Sequence, residues 1–179
     1  MLGISLLIAT AFSIGFFIES IVGFGGGLIS YFILGFFIDL KTMIMAGLYI
    51  GTCSSFYIAI TDIKNFDKKI FLKSMPIALI GTIIGVYAFS HLSESLLSII
   101  FGTILLLLSL KIIAFDNYEL PKIFKNQLIL IGGISQGAFG IGGPFWVNAL
   151  KNDFLNKSQL RTTMAIFFVF FILCSAALK

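Results

Sequence analysis

The chain has 179 residues, of which 59% are hydrophobic and only 11% charged, with 21 phenylalanines and a mean hydropathy of +1.09. Soluble domains carry roughly 25% charged residues, so this composition excludes an ordinary soluble domain and defines an integral membrane protein. The net charge of +4 and the pI of 9.1 come from loops between apolar stretches, which points to membrane topology and excludes nucleic acid as a partner.

Residues 3–22 form the first apolar stretch, with no basic leader and no small-residue cleavage site, so they read as a retained helix and not a removable signal peptide. After Glu19 comes a glycine cluster, Gly23, Gly25, Gly26 and Gly27, followed by a shorter apolar segment at 24–38. Longer spans follow at 42–61, 70–90 and 95–115, close to the length of about 20 residues that a crossing needs. Two short segments, 127–140 and 143–150, flank a second cluster of Gly140, Gly142 and Gly143, bracketed by Gln136 and Trp146. The last span is 162–178. No alternating pattern of a membrane barrel is present. The fold class expected is an all-α integral membrane protein, a polytopic bundle of eight helical segments.

The two clusters are copies. Gly140 follows Gly23, Gly142 follows Gly25 and Gln136 follows Glu19, each at an offset of 117 residues. This predicts a first repeat over 1–117 with five segments and a partial second repeat over 118–179 with three. Glycine runs are poor helix formers, and a break at membrane depth is tolerated only where the backbone is buried in protein or lines a wet cavity. Five passes separate the clusters, an odd number, so the copies are expected to be inverted, each carrying a glycine-broken hairpin. Paired broken helices in inverted repeats point to a carrier site near the midplane.

Lys64, Lys68, Lys69, Lys73, Lys111, Lys122, Lys125, Lys151, Lys157 and Arg161 fall on one side of this topology, leaving only Lys41 and Lys179 for the other. The positive-inside rule makes the basic side cytoplasmic and the N-terminus external, in the inner (plasma) membrane. Cys53 and Cys174 lie in apolar segments and read as small packing residues, His91 as a solvated loop residue, and Pro76 as a kink. Phe167, Phe168, Phe170 and Phe171 read as lipid-facing and packing surface. No Cys or His cluster has metal spacing, and no cofactor is expected.

The paired clusters, Gly23 to Gly27 and Gly140 to Pro144, each followed by a short helix and a polar, small-residue stretch (Lys41 and Thr42 to Gly51 and Thr52; Lys157 and Ser158 to Thr162 and Thr163), resemble the TauE/SafE sulfite exporter family of membrane permeases. The resemblance implies transport of small sulfur-containing anions such as sulfite, sulfonates or sulfoacetate, without ATP-binding domains. Pro144 replaces a third glycine, a mild departure because proline suits the first turn of a helix. Adding the offset to Phe115 predicts an end near about residue 232, so the sequence is expected to be a fragment or a shortened chain that completes itself as a homo-oligomer.

A helix starting inside the membrane presents unpaired N–H groups and a positive dipole end, a ready anion site. One terminus contributes at most about 2 kcal/mol, against several kcal/mol for removing an anion from water, so two opposed termini are needed. The expected substrate-binding residues are Gly23, Gly25, Gly26, Gly27, Gly140, Gly142 and Gly143, with Gln136, the Trp146 N–H and Asn148, helped by Ser20, Ser30, Thr52 and Ser135. Glu19, an acid inside an apolar segment, is a functional candidate by default. It is expected to be protonated when the anion is bound and ionised when it leaves, or else to snorkel or cap a helix. The glycines have a plain reading too, close helix packing, which Gly47 with Gly51 and Gly81 with Gly85 also suggest. If packing were their whole purpose, the protein would be a noncatalytic membrane scaffold or anchor for a partner complex; no enzyme site is legible.

Overall fold

The computed structural model describes residues 2–22, 25–115 and 122–178. Gly23, the first glycine of the first cluster, lies outside the described residues, as does the side chain of Ser20. The described residues contain no strand. They form α1 (Leu2–Val22), α2 (Gly26–Leu34), α3 (Leu40–Thr61), α4 (Lys68–His91), α5 (Glu94–Phe115), α6 (Lys125–Phe139), α7 (Gly143–Leu150) and α8 (Lys157–Leu178). Three of them, α3, α4 and α8, are long and apolar enough to cross a membrane. The segments 3–22 and 95–115 were also expected to span; their described apolar portions, Gly3–Glu19 and Glu94–Leu110, are shorter.

The largest shift from the sequence reading is the start of α8, at Lys157 instead of 162. Asn156 is the reason. Its side chain accepts from Gln159 N at 2.8 Å and its carbonyl from Leu160 N at 3.2 Å, the pattern of an N-cap that starts a helix before the apolar run begins. Asp39 does the same for α3, accepting from Thr42 N at 2.8 Å and from Met43 N at 3.1 Å. These caps are offset by 117 residues, and so are the first and last residues of α3 and α8 and the first residues of α2 and α7. Hydrogen bonding to the charged form holds the Asp39 carboxyl below the usual carboxylate range.

Packing follows the small residues. A Cβ on Gly81 or Gly85 would run into the carbonyls of Leu130 and Ile134, and one on Gly133 or Gly137 into those of Ala78 and Thr82. Thus α4 and α6 run parallel with their backbones in contact, the arrangement small residues favour between membrane helices. The close-packing reading holds for Gly81 and Gly85, and Gly133 and Gly137 are the matching half. α2 returns along α1, with Gly15 against the Gly26 carbonyl and Ser30 Oγ donating to Ala11 O at 3.1 Å. α7 returns along α6 in the same way, Gly132 facing Trp146 and Gly142. α3 and α8 are antiparallel, Gly51 near Ile172 at one level and Ile58 and Ala59 clustered with Ala165 at another.

The phenylalanine run of α8 turns out to be interior. Phe167 and Phe171 are fully buried and stack around Trp146, so this run packs the protein core and only partly faces outward. The apolar outer surface is supplied instead by residues such as Phe17, Phe32, Phe36, Tyr57 and Leu106. Cys53 is exposed on this surface and Cys174 half-buried, both free. His91 is exposed and stacks on Tyr87.

The basic segments 62–73 and 151–161 and the start of α6 meet at one end. There Lys125 pairs with Asp153, and Asp62, just past α3, accepts from Ser158 Oγ and Thr162 Oγ1 of α8 and from Asn65, with Arg161 3.5 Å away. These donors hold the Asp62 carboxyl below the usual carboxylate range, the Ser158 hydroxyl contributing most. A depressed folded-state value means that the stabilisation is complete above the unfolded value, about 3.9, and is lost as pH falls through the folded one. The melting temperature of an Asp62→Asn variant in detergent is therefore expected to lie below wild type at neutral pH. The gap should narrow as the medium is acidified below about pH 4; a gap independent of pH would refute this role.

Candidate functional site

Both helix breaks are real and each is made by a glycine in the left-handed region. Gly25 has φ 94° and precedes the first residue of α2. Gly140 has φ 74° and closes α6, its N–H shared by the carbonyls of Gln136 and Ser135. That conformation disfavours any residue with a Cβ. The breaks are not superimposable, because Gly142, the counterpart of Gly25, is right-handed at φ −68°.

Each short helix receives a side chain from the helix before it. Glu19 Oε2 accepts from Gly26 N at 2.8 Å, and Gln136 Oε1 accepts from Gly142 N at 2.9 Å. An acid in one copy and an amide in the other thus satisfy one orphan N–H each. Pro144 supplies no N–H, so the remaining first-turn donors are those of Gly27 and Leu28 on α2 and of Gly143 and Phe145 on α7. Capping is one of the two roles expected for Glu19. Glu19 is also 5% exposed and borders a cavity, so one residue both caps α2 and lines the open space.

That cavity, of about 40 Å³, lies between the two breaks. Waters or a small ion fit such a space. Gly25 and Gly27 border it from one break, and Gly140, Ile141, Gly143 and Pro144 from the other. Its walls come from α1, α2, α3 and α8, and three pairs of wall residues are related by the 117-residue offset: Gly27 with Pro144, Gly51 with Phe168, and Ser55 with Ile172. The cavity therefore sits where residues 117 apart in the sequence face each other. Its polarity is one-sided. Glu19, Tyr31 and Ser55 all belong to the first copy, whereas the second contributes backbone and the apolar Ile141, Pro144, Phe168 and Ile172.

Several expected site residues are placed elsewhere. Trp146 is fully buried and its N–H donates to Ile129 O at 3.1 Å. The indole fills the gap left by Gly132, where a Cβ would stand 2.6 Å from it, so it is drawn into the α6–α8 interface and away from the cavity. Asn148 is half-buried and outside the cavity wall. Gln136 is fully buried behind its cap, with Nε2 unpartnered among the described residues, and does not border the cavity. Gly26 and Gly142 are packing positions: a Cβ on Gly26 would stand 2.7 Å from Glu19 Oε2 and from Gly15 O, and one on Gly142 2.7 Å from Gly132 O. Ser30 and Thr52 spend their hydroxyls on backbone carbonyls.

The sequence does not single out Tyr31, Ser55 or Phe16, and it suggests helix packing for Gly47 and Gly51. In the structure Gly47 makes room for the Tyr31 ring, a Cβ there standing 2.7 Å from Cε1, while a Cβ on Gly51 would stand 3.3 Å from the Phe16 ring; both border the cavity. A signal was available: Gly15 and Gly132, the floor beneath each break, share the 117-residue offset and extend the repeated motif toward the N-terminus.

Neither the curated proteins nor the solved structures contain a match to the chain. The model of one family, described as sulfite exporter TauE/SafE, matches residues 7–179. With nearly the whole sequence matched, all-helical architecture and apolar spans, the chain belongs to the TauE/SafE family of sulfite exporters and is a membrane transport protein of that group.

Proposed function

We propose that the protein is a secondary transporter of a small sulfur-containing oxyanion, sulfite or a sulfonate, which it binds in the cavity between the two helix breaks. The copies 1–117 and 118–179 are inverted repeats, each with a glycine-broken hairpin, that rock against each other to open the cavity to one side and then the other. The observation that carries this reading is the cavity wall itself, built from offset-related pairs of the two copies. Antiparallel packing of the equivalent helices α3 and α8 supports the inversion. Free N–H groups at the starts of α2 and α7 supply positive potential to the anion, and Glu19 carries a proton with it. The basic end faces the cytoplasm, placing the N-terminus outside the inner membrane.

Purified protein in liposomes tests this. Sulfite is expected to move down its gradient across these vesicles and not across protein-free ones. A scaffold subunit would give no flux and a tightly bound partner on purification.

A further inference from the structure

Two hydroxyls in the cavity wall, those of Tyr31 and Ser55, have no hydrogen-bond partner among the described residues. Tyr31 is 3% exposed and Ser55 2% exposed, and both residues border the cavity. Several buried helical hydroxyls of the chain bond the carbonyl four residues back instead: Thr82 to Ala78 at 2.9 Å and Ser175 to Phe171 at 2.8 Å. On α3 itself, Thr52 bonds Leu48 O at 2.7 Å. Ser55, one turn further along, forgoes the same bond to Gly51. A hydroxyl that borders a cavity and is not taken up by the protein calls for an explanation.

The position of Tyr31 supplies one. Its ring is held edge-on by Phe12 and Phe101 and lies over Gly47, so it has little freedom to swing away. Its Oη stands 3.2 Å from where a Cβ on Gly140 would be, at the second break. The phenol thus reaches across from the first copy to the glycine that opens the second. Glu19 has a proton to donate only in its acid form, and the second copy lines the cavity with backbone and apolar side chains. The side-chain donors present in either state of Glu19 are therefore the Tyr31 and Ser55 hydroxyls.

We propose that the Tyr31 and Ser55 hydroxyls donate hydrogen bonds to the oxygens of the bound anion, making the site selective for oxyanions. This rests on the transport reading above and names the side chains that give it affinity. Donation from a neutral hydroxyl to a charged oxygen is among the stronger hydrogen bonds, and losing one is expected to weaken binding about tenfold.

The test uses the full chain in liposomes with sulfite as the probe. In Tyr31→Phe and in Ser55→Ala, each of which removes a hydroxyl and little else, the KM for sulfite is expected to rise about tenfold. Flux at saturating sulfite should stay within about twofold of wild type, as when binding common to the whole cycle is lost. In detergent, the ligand-free melting temperature should be unchanged while its rise on adding sulfite shrinks. If wild type transports sulfite and both variants keep its KM, the hydroxyls do not touch the anion and the proposal is overturned while the transport reading stands. A large fall in the ligand-free melting temperature would make the hydroxyls structural and overturn it equally. If wild type neither moves sulfite nor is stabilised by it, the transport reading fails and takes this proposal with it.

Discussion

Gly27→Val is expected to lower sulfite flux by about ten- to a hundredfold while leaving the melting temperature of the purified protein unchanged or slightly raised. A Cβ at Gly27 meets nothing within 4 Å, and its backbone is not in the left-handed region, so the folded state accepts the side chain without strain. Replacing a helical glycine removes backbone freedom from the unfolded chain, a gain of about 0.5–1 kcal/mol for alanine. The new methyls project from a residue that borders the cavity. Displacing neighbours to keep the path open costs about 1–3 kcal/mol, and about 1.4 kcal/mol corresponds to tenfold. Gly25→Val and Gly142→Val are poorer tests. The first forces a side chain into φ 94° and the second presses on Gly132 O, so loss of flux would follow from misfolding as easily as from blockage. If Gly27→Val transported normally, the opening between the breaks would not be the route.

Glu19→Gln is expected to retain folding and sulfite flux but to lose proton movement and the pH dependence of transport. The chain carries its own precedent for the substitution. Gln136, at the equivalent position of the second copy, caps Gly142 N through its amide oxygen at 2.9 Å, so an amide at 19 keeps the bond to Gly26 N. What it removes is only the capacity to exchange a proton. Glu19→Ala removes the cap as well and leaves a buried N–H unsatisfied, a loss of about 1–3 kcal/mol, which makes it the control for structural damage. Proton flux measured alongside sulfite flux in the same vesicles decides the matter. A Glu19→Gln variant with wild-type coupling and pH profile would confine Glu19 to capping.

Asymmetry is the physical theme joining these experiments. Residues 117 apart share the Asp39 and Asn156 caps, the bounds of α3 and α8 and the Gly15 and Gly132 floors, yet the cavity takes an acid, a phenol and a serine from the first half of the chain and only backbone and apolar side chains from the second.

Much of this was legible before any coordinates. Eight helical segments, the two glycine breaks and the prominence of Glu19 all followed from local properties: apolar run length, the poor helix propensity of glycine, and the cost of an acid in hydrocarbon. The start of α8 was misplaced because the apolar run was weighed above the Asn156 cap, although Asp39 carries the same cap 117 residues earlier. Trp146 and Asn148 were assigned to the site on proximity in sequence to a break, which cannot tell which way a helix face turns.

The chain alone determined its class and its breaks, because these depend on composition and on neighbours along the backbone. Only the tertiary structure decided that both breaks border one cavity, that Gly47 yields its space to Tyr31, and that Gly132 draws Trp146 away. Those outcomes depend on which helix face meets which. In a chain this uniformly apolar no amphipathic stripe marks the inward face, so packing of small against large residues across distant helices makes the choice.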